Sequence, residues 1–575
     1  MSGIVGLFDP VGAEASHLRR AARAAQYRGE VHVRSFGRIA LGCYVNKVGA
    51  SQFVERAGSA LVADARIDAA LPGSVSARLA VRHSGVELLA AVLDEEGPQG
   101  LDGLAADFAL ARWDLEGEEL LLARDAFGLR PLYWAQAGDR LGFAPEPSVL
   151  LALGLASGDL DVGVVSLRLA GVDPAGERTP FAGISRVPGG HWVTFKGSQG
   201  RRIHRWFKPE LVPVEDLTLH EASEVVREAV VESVTARSHG QSLGISLSGG
   251  RDSAAVAIAS QLAGVRATCI TLRFEPDSVP PEGAAARAMA HSAGHDWREA
   301  VIDTSVTVND LLAIPDLAGS PVGFPSFPGA VGRRNAFQRE GVDVVLDGQG
   351  GDPLFAAPPL SILDVVRSGQ FRASVRAGRA YRRQTGHSYG PILKSVLRGV
   401  APMRLIAFRD RYRRTPPWSA APKTLGPLSG VRSSREMLVR FLRYLGGSDF
   451  LEMSEQLFQR AGIRYACPLY DQRVVRAALA LPVDLRQPLP SPKPVLTAAF
   501  LGRSQGTRVK AVQTPFFRQL ARDVQRDFPW LFDSASLCAQ RGFVRGSAAC
   551  GADSPWLVDS LEIVPTEMWL RRMEG

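Results

Sequence analysis

The sequence predicts an α/β protein of two domains, 1–208 and 209–575, with a doubly wound parallel sheet in the second. At 575 residues the chain is too long for one hydrophobic core, and 46% apolar with 22% charged residues is typical of a globular protein. Two short apolar runs, 243–245 and 342–346, each lead into a glycine-rich turn. The first turn opens a helix-forming run at 254–259, which is the strand–turn–helix order of such a sheet.

The N-terminal domain is predicted to consist of layered sheets covered by helices. Helical stretches at 14–25 and 85–93 lie among short strands that Gly, Pro and Asp separate. The clearest strands are 37–42, 60–63, 108–113 and 119–123. The domain boundary is predicted at 206–214, and Thr218 and Glu221 follow it with the spacing of a capping box at the start of a helix.

The composition indicates where in the cell the protein is located and which kinds of cysteine site it lacks. No apolar run is long enough to span a bilayer, and the first residues lack the basic segment and apolar stretch of a signal peptide. We therefore expect a cytoplasmic protein without membrane contact. The five cysteines are scattered and without CxxC spacing, which argues against a disulfide framework and a cysteine zinc site.

A basic segment, 367–414, concentrates the excess positive charge of the chain. The net charge is +8, and within this segment Asp410 is the only acidic residue. Solvated helix faces account for such a segment, and a docking surface for an acidic peptide or protein partner is the alternative. Nucleic acid is not the expected partner, because single-strand platforms interleave aromatic with basic residues and aromatic residues are sparse here.

The stretch 246–253, Ser-Leu-Ser-Gly-Gly-Arg-Asp-Ser, has the residues of an anion-binding turn. Glycines let backbone N–H groups approach an anion, the helix N-terminus that follows favours negative charge, and serine hydroxyls add donors. Asp252 supplies a carboxylate for a metal held against phosphate. An ordinary polar turn is the alternative. The predicted ATP or pyrophosphate ligands in this stretch are Ser246, Leu247, Ser248, Gly249, Gly250, Asp252 and Ser253.

A second glycine-rich turn, 347–355, follows the predicted buried strand at 342–346. In an open parallel sheet such turns lie at the carboxyl ends of the strands, where ligands bind. Asp352 is then expected opposite Asp252, and two hard oxygen ligands beside a triphosphate suit Mg²⁺. The predicted nucleotide-binding residues of this turn and of the strand at 267–272 are Gly348, Gln349, Gly350 and Leu272.

Several motifs resemble those of known enzymes. Residues 248–253, in the spelling SGGxDS, resemble the pyrophosphate loop of ATP pyrophosphatases, which cleave ATP between its α- and β-phosphates. The run 124–133, Arg-Asp-Ala-Phe-Gly-Leu-Arg-Pro-Leu-Tyr, resembles the glutaminase domain of class II asparagine synthetases, as do 27–29 and 188–191. The resemblance spans essentially the full chain. It implies an Ntn-hydrolase-like αββα sandwich and then an ATP-pyrophosphatase domain with helical C-terminal additions.

Two departures from the family concern the glutaminase. Family members with this activity carry a cysteine after the initiator Met, and this chain carries Ser2, a weaker nucleophile. The family's Asn-Gly-Glu segment, which binds glutamine and forms the oxyanion hole, is replaced by Asp64, Ala65 and Arg66. We therefore predict a degenerate glutaminase domain that makes no ammonia and supports the second domain structurally.

The C-terminal third is predicted to be helical, and the resemblance assigns functions to two of its lysines. Lys493, in a Lys-x-x-Leu element, is similar to the family's pyrophosphate-binding lysine. Lys510, in an Arg-x-Lys element, is similar to the lysine that stabilises charge in adenylation and amide formation. The resemblance implies ATP and Mg²⁺ as cofactors, Asp252 and Asp352 as metal ligands, and Lys510 and Lys493 as catalytic residues.

The resemblance also implies the reaction, in which a carboxylate is activated as its acyl-adenylate and an amine then attacks. Without ammonia the amine comes from the substrate, as in the β-lactam, carbapenam and lasso peptide macrolactam synthetases. Gln349 stands where asparagine enzymes carry Glu, and its inability to titrate disfavours the small-ring enzymes. The basic segment and the ending 567–573 look more like the lasso cyclases.

We predict a lasso-type cyclase that joins the N-terminal amine of a leader-free core peptide to an Asp or Glu side chain. Its expected partners are a leader-binding protein and a leader peptidase. One alternative is an asparagine-synthetase-like or β-lactam-synthetase-like ligase for a small molecule, and another is a non-catalytic scaffold in a biosynthetic complex. The presence of Asp252, Asp352, Lys493 and Lys510 argues against the scaffold.

Overall fold

The computed structural model describes most of the chain. The residues outside the description are 1–2, 47–48, 51, 57, 174–175, 197–199, 215, 239, 276–280, 303, 325, 357–358, 368, 370, 386–388, 391–392, 395–396, 398–415, 421–430, 446–448, 483, 487–490, 492, 503–513, 552 and 575. The predicted catalytic residue Lys510 and Ser2, which stands in place of the family's cysteine, therefore lie outside the described residues, as does much of the basic segment.

The N-terminal part alternates short strands with a few helices. Its elements are β1 (Gly3–Phe8), α1 (Ala15–Ala22), β2 (Glu30–Phe36), β3 (Ile39–Asn46), β4 (Gly49–Ala50), β5 (Gln52–Arg56), β6 (Ser59–Ala70), α2 (Val75–Leu79), α3 (Gly85–Glu95), β7 (Leu104–Asp114), β8 (Glu119–Arg124), β9 (Tyr133–Ala137), β10 (Arg140–Ala144), α4 (Pro147–Ala152), α5 (Val162–Leu169), β11 (Ile184–Arg186), β12 (His191–Lys196) and β13 (Arg201–Arg205). All four of the clearest predicted strands overlap observed strands, β3, β6, β7 and β8.

These strands form two antiparallel sheets that pack face to face. The described strands of one sheet run β11-β9-β10-β1-β3-β2, with β4 on β3, and those of the other run β13-β12-β8-β7-β6-β5. Apolar side chains such as Leu41 and Val62 fill the layer between the sheets. Helices α1 and α4 cover the outer face of the first sheet, and α3 covers the outer face of the second. The predicted αββα sandwich is confirmed.

The second part begins with a long helix and continues as a parallel α/β unit. Its elements are α6 (Leu219–Ser238), β14 (Leu243–Ser246), α7 (Arg251–Leu262), β15 (Thr268–Phe274), α8 (Pro281–Ser292), β16 (Asp296–Ile302), α9 (Thr304–Leu312), α10 (Ile314–Ala318), α11 (Phe327–Arg339), β17 (Val344–Leu346), α12 (Gly351–Phe355), α13 (Pro359–Arg367), α14 (Phe371–Thr385), α15 (Ser434–Leu445), α16 (Asp449–Gln459), β18 (Arg464–Ala466), α17 (Gln472–Ala480), α18 (Pro494–Phe500), α19 (Thr514–Asp527), α20 (Leu537–Gln540) and α21 (Ile563–Glu574).

The described strands of this sheet are all parallel, in the order β16-β15-β14-β17-β18. The chain moves outward from β14 to β16 and then returns to β17 on the other side of β14, so the strand order reverses between β14 and β17. Ligands of open α/β sheets bind outside the carboxyl ends of strands at such a reversal. Ile245 pairs with Leu346, so the two central strands end level with each other. The predicted doubly wound sheet is confirmed.

Helix α6 starts as its sequence predicts. The Thr218 hydroxyl accepts from the Glu221 N–H at 3.2 Å, and the Glu221 carboxylate accepts from the Thr218 N–H at 2.9 Å, which completes the capping box. Helices α6 and α7 cover one face of the parallel sheet, and α11 covers the other. Among the helices that the structure describes, none combines the length and apolarity that crossing a membrane requires.

Helix α16 carries acidic side chains into the contact between the two parts. Asp449, Glu452 and Glu455 recur every three residues, and each is at most 4% exposed. Arg124 Nη1 lies 2.7 Å from Glu452 Oε1, and Arg186 pairs with both Glu452 and Asp449. Arg28 Nη2 lies 2.9 Å from Glu455 Oε2. These pairs satisfy carboxylates that are otherwise costly to bury, and so they join the two parts of the molecule.

Candidate active site at the carboxyl edge of the parallel sheet

The first glycine-rich turn connects β14 with α7. Gly249 has a φ of +68°, a conformation that glycine adopts without strain. Ser253 holds the turn closed, because its hydroxyl donates to the Gly250 carbonyl at 3.2 Å and accepts from the Ser248 N–H at 3.2 Å. The Ser248 hydroxyl lies 3.3 Å from the Ser253 hydroxyl. The N-terminus of α7 therefore lies at the carboxyl edge of the sheet.

The second turn connects β17 with the short helix α12. Gly350 precedes α12 with a φ of +104°, and a Cβ there would come within 3.1 Å of Leu469 and Tyr470. Asp347 shapes the turn, because its Oδ1 accepts from the Gln349 N–H at 3.1 Å. The Asp347 N–H in turn donates to the Ala466 carbonyl of β18 at 2.9 Å. The turn is thus fixed to its neighbouring strand.

The two turns touch each other through glycine. A Cβ on Gly348 would lie 2.7 Å from the Ser253 nitrogen, which is closer than real Cβ contacts occur. A Cβ on Gly351 would overlap the carboxylate of Asp252. Both positions therefore require glycine because of the close approach of the two turns. The sequence predicted the glycines as turn residues, and the structure adds this reason for them.

Lys493 brings the two predicted metal-binding aspartates together. Its Nζ lies 2.5 Å from both carboxylate oxygens of Asp252 and 2.6 Å from Oδ1 of Asp352. The lysine side chain is 3% exposed, whereas that of Asp352 is 79% exposed. The residue precedes α18, whose first residue is Pro494. A buried ammonium group therefore lies between two carboxylates at the edge of the sheet, with one carboxylate open to solvent.

The two carboxylates fit a divalent cation that arrives with phosphates. Their oxygens converge on one cationic centre, now the lysine ammonium, and hard oxygen ligands are those that Mg²⁺ prefers. Within the described residues no cluster of three or more His, Cys, Asp or Glu side chains is arranged to hold a metal. Two carboxylates would suit Mg²⁺, which is held by one or two protein carboxylates and takes its other ligands from substrate and water.

Sequence reasoning missed one arginine beside these turns. Arg333, on α11, donates from Nη1 to the Ser246 hydroxyl at 2.8 Å and to Asp347 Oδ2 at 3.2 Å. It therefore ties the carboxyl ends of β14 and β17 to each other. No local pattern indicates this role, because Arg333 lies 14 residues before Asp347 on an intervening helix.

Leu272 lies near the same edge of the sheet. It is half-buried at the end of β15, and its side chain lies 3.5 Å from the position of a Cβ on Gly329. The preceding Thr271 donates from its hydroxyl to the Leu247 carbonyl at 2.7 Å, which fixes β15 to the first turn. The structure thus brings the predicted residues of the two turns together with Lys493, whereas the side chain of Leu272 packs towards α11 and Lys510 lies outside the described residues.

Arg66, at the position where the resemblance places the family's glutamine-binding segment, forms ion pairs. Arg66 Nη2 lies 2.6 Å from Asp107, and Nη1 lies 3.2 Å from Asp68. Arg237 of α6 lies 2.8 Å from Asp471, 3.2 Å from Asp68 and 3.3 Å from Asp107. Arg66 therefore belongs to a buried cluster that extends from β6 and β7 to the start of α17.

The cysteines provide no activated thiol. All five are in the described part of the chain and none forms a disulfide. Burial raises the pKa of Cys43 to about 11 and that of Cys269 to about 12. Burial also raises the pKa of Cys467, Cys538 and Cys550. A nucleophilic cysteine needs a lowered pKa, and each of these thiols is shifted in the opposite direction.

Comparisons with known proteins match both parts of the chain. A family model described as asparagine synthase matches residues 225–505, and one described as a glutamine amidotransferase domain matches residues 76–207. The chain is 26% identical over 303 residues to the amidase chry2 of Gibberella zeae, covering 48% of this chain and 43% of that protein. It is 26% identical over 282 residues to asparagine synthetase (glutamine-hydrolyzing) 1 of Bacillus subtilis, covering 47% and 43%.

The matched part thus spans less than half the length of these curated relatives. Among solved structures, the B. subtilis glutamine phosphoribosylpyrophosphate amidotransferase complexed with ADP and GMP aligns at 13% identity with a TM-score of 0.26. That alignment covers 52% of this chain and 65% of the other. A match to a glutamine amidotransferase domain and a match to an asparagine synthase domain thus follow each other on one chain, which supports an asparagine synthetase-like family.

Proposed function

We propose that the chain is an ATP-dependent amide-forming ligase of the lasso cyclase type. It would adenylate the side-chain carboxylate of an Asp or Glu in a leader-free core peptide. It would then join the carboxyl carbon to the peptide's own N-terminal amine. The observation that carries the proposal is the placement of Lys493 between Asp252 and Asp352, at the reversal of strand order in the parallel sheet. Ligands of open α/β sheets bind at such an edge, and in the proposal both turns contribute to the nucleotide site.

The first step needs charge stabilisation on the triphosphate. A carboxylate oxygen of the peptide attacks the α-phosphorus, the bond to the β-phosphate oxygen breaks, and pyrophosphate leaves with the electron pair. Backbone N–H groups of the first turn and the hydroxyls of Ser248 and Ser253 would hold the leaving pyrophosphate. Lys493, which is already in the site, would add a positive charge to it. Asp252 and Asp352 would hold Mg²⁺, which supplies neutralisation of phosphate charge when bound.

The second step forms the amide. The peptide's N-terminal nitrogen attacks the acyl carbon, the bond to the AMP oxygen breaks and AMP leaves with the electron pair, and the nitrogen releases a proton to the solvent. In the proposal Lys510 stabilises the charge that develops on the acyl oxygen in this step. Gln349 does not accept the proton, because an amide side chain does not titrate.

Three features support a substrate amine in place of ammonia. Ser2 stands where the family's glutaminases carry cysteine. Arg66 is paired with Asp68 and Asp107 at the position of the glutamine-binding segment. The thiols elsewhere in the chain have raised pKa values, so they do not replace the missing nucleophile. We therefore include the absence of glutaminase activity, and action beside a leader-binding protein and a leader peptidase, in the proposal.

Pyrophosphate release tests the proposal directly. The chain is incubated with ATP, Mg²⁺ and a leader-free peptide with an acidic residue near its start, and peptide mass reports loss of water. Asp252→Asn is expected to lower the rate by about a hundredfold or more, because it removes charge from the phosphate site. Asp343→Asn is the matched control, since Asp343 bonds the Ser242 N–H at the opposite edge of the same sheet, 3.0 Å away.

Other substrates distinguish the alternatives. Release with aspartate and ammonia, or with a small β-amino acid, but with no peptide, would replace the cyclase by a small-molecule ligase. Equal rates of pyrophosphate release in Asp252→Asn and Asp343→Asn would contradict the assignment of Asp252 to the site. If no substrate led to pyrophosphate release, the non-catalytic scaffold would be the one remaining hypothesis.

A further inference from the structure

Helix α14 presents a row of arginines to solvent. Arg372, Arg376, Arg379, Arg382 and Arg383 are all exposed. Apart from the adjacent pair Arg382 and Arg383, they follow one another at intervals of three or four residues, so they share one side of the helix. We call these five residues the arginine face. Four of them are separated by the i,i+3 and i,i+4 spacings at which side chains are neighbours. Like charges at these spacings destabilise a helix, so the face carries a cost that an anion would remove.

The opposite side of α14 holds the helix in place. Ala377 is fully buried and packs in a small core with Ile362 of α13 and Tyr381. Ala380 and Ser374 are at most 8% exposed. Packing of this opposite side fixes the rotation of α14 about its axis, and the arginine face is therefore directed outward.

The sequence supplies no acidic residue near the arginine face. Between Asp364 and Asp410 neither Asp nor Glu occurs. In the part of the chain that the structure describes, the five guanidinium groups have one recorded side-chain partner, the ring of Tyr389, over which Arg382 lies at 5.1 Å. The charge of the face is thus not neutralised by the described residues.

An exposed apolar stripe adjoins the arginine face. Tyr389, Leu393 and Leu397 are 48%, 59% and 55% exposed. They recur every four residues, and the Leu393 N–H donates to the Tyr389 carbonyl at 2.9 Å as in a helical turn. The contact of Arg382 with Tyr389 makes the stripe continuous with the face. Neighbouring exposed apolar side chains of this size often mark a binding surface.

We propose that the arginine face and the apolar stripe together dock an acidic, amphipathic peptide segment of a partner protein. Carboxylates of the segment pair with the arginines, and its apolar residues cover Leu393 and Leu397. This surface does not depend on the reaction proposed above. A membrane is the weaker match, because membrane-surface helices bury a face of large apolar residues and α14 instead buries alanine and serine within the protein. A nucleic-acid strand is also weaker, because Tyr389 is the only aromatic side chain in the surface.

Fluorescence anisotropy with a designed peptide tests the proposal. The probe is a fluorescein-labelled helix-forming peptide of about 20 residues, roughly 30 Å long, with Glu on one side and Leu on the other. The triple variant Arg376→Gln, Arg379→Gln, Arg382→Gln is expected to bind it about tenfold more weakly than the wild type. The double variant Leu393→Ser, Leu397→Ser should weaken binding by a similar factor, although it leaves every charge in place.

A matched control separates this surface from net charge. The triple variant Arg20→Gln, Arg23→Gln, Arg82→Gln removes three exposed arginines elsewhere and should bind the peptide within about twofold of the wild type. Equal loss in both triple variants would show that net charge alone attracts the peptide, and would overturn the proposal. So would the absence of binding by the wild type, or tighter binding of a single-stranded oligonucleotide or of phosphatidylserine vesicles. Peptide binding is measured without ATP, so it is independent of turnover.

Discussion

Replacing Arg237 by Met tests whether a charge-balanced buried cluster holds the two parts of the molecule together. Arg237 is 1% exposed and contacts Asp68 and Asp107 of the N-terminal part and Asp471 at the start of α17. Arg66 and Arg473 complete the cluster. The buried members are three arginines and three aspartates, so their formal charge is zero, and Glu232, which also contacts Arg473 at 3.2 Å, is 49% exposed and is not counted among them.

The expected cost follows from this balance. Arg237→Met leaves three buried carboxylates with two arginines, and breaking a buried ion pair in this way costs about 3–5 kcal/mol. That is a large part of the roughly 5–15 kcal/mol by which proteins are stable. Burial alone would raise the pKa of Asp471, but hydrogen bonds and charges from Arg473 and Arg237 hold that pKa below its usual range.

A second substitution in the same cluster sharpens the test. Asp471→Asn keeps an oxygen that can accept from the Arg473 N–H, now at 2.9 Å, and so preserves the cap of α17. On its own it leaves one positive charge in excess. Combined with Arg237→Met it restores neutrality, so the double variant should be more stable than the sum of the single changes by about 1–3 kcal/mol.

Thermal unfolding of the full chain at pH 7 measures these differences. The matched control is Arg266→Met, because Arg266 forms an ion pair with Asp296 at 2.7 Å on the surface and its side chain is 72% exposed. The control is expected to leave the unfolding temperature close to that of the wild type, because exposed ion pairs contribute little to stability. If Arg237→Met were no worse than this control, or if the double variant were additive, the cluster would not act as a charge-balanced unit.

Three further predictions concern other sites. Burial raises the pKa of Glu146 to about 8, so the folded chain holds a proton that the unfolded chain releases at lower pH. Stability should therefore fall from about pH 5 to pH 8, by at most ~1.4 kcal/mol per pH unit from this group, and Glu146→Gln should flatten the slope in thermal unfolding at stepped pH. Gly351→Ala should abolish pyrophosphate release because its Cβ overlaps the Asp252 carboxylate, while circular dichroism stays that of the wild type. Ser2→Ala should leave pyrophosphate release unchanged, and a large loss would restore the glutaminase hypothesis.

The sheet and its turns were predictable because their signals are local. A β-branched apolar run followed by glycine predicts a buried strand and a close turn, and β14 and β17 confirm this. The buried acidic face of α16 was not predictable. Asp449, Glu452 and Glu455 have the composition of a solvated face, and their arginine partners lie 263 to 427 residues away in the chain.

The candidate site was likewise predictable only in part from the sequence. Order along the chain was enough to predict that Asp252 and Asp352 lie at one edge, because parallel strands place their following turns there. The contact of Lys493 with both carboxylates depends on how α18 packs, and that packing has no signature near Lys493 in the sequence. The contacts of Arg333 have no local signature either, because one partner, Ser246, ends β14 and the other, Asp347, follows β17.

The contacts of α16 give a physical reason to keep an N-terminal domain that is proposed to have lost its own reaction. Glu452 accepts from Arg124 at 2.7 Å and from the Tyr133 hydroxyl at 2.6 Å, and both donors are buried residues of that domain. Without them α16 would expose or bury unpaired carboxylates, and either outcome disfavours its present packing.

That packing leads directly to the candidate site. Helix α16 ends at Gln459, β18 begins five residues later, and the Ala466 carbonyl of β18 accepts from the Asp347 N–H of the second turn. Removal of residues 1–208 should therefore abolish pyrophosphate release, although the site residues named here all lie beyond that segment. Activity of the isolated second domain equal to that of the full chain would contradict this connection. Restoration of activity when the two halves are mixed would support it, because the ion pairs of α16 re-form without a covalent link.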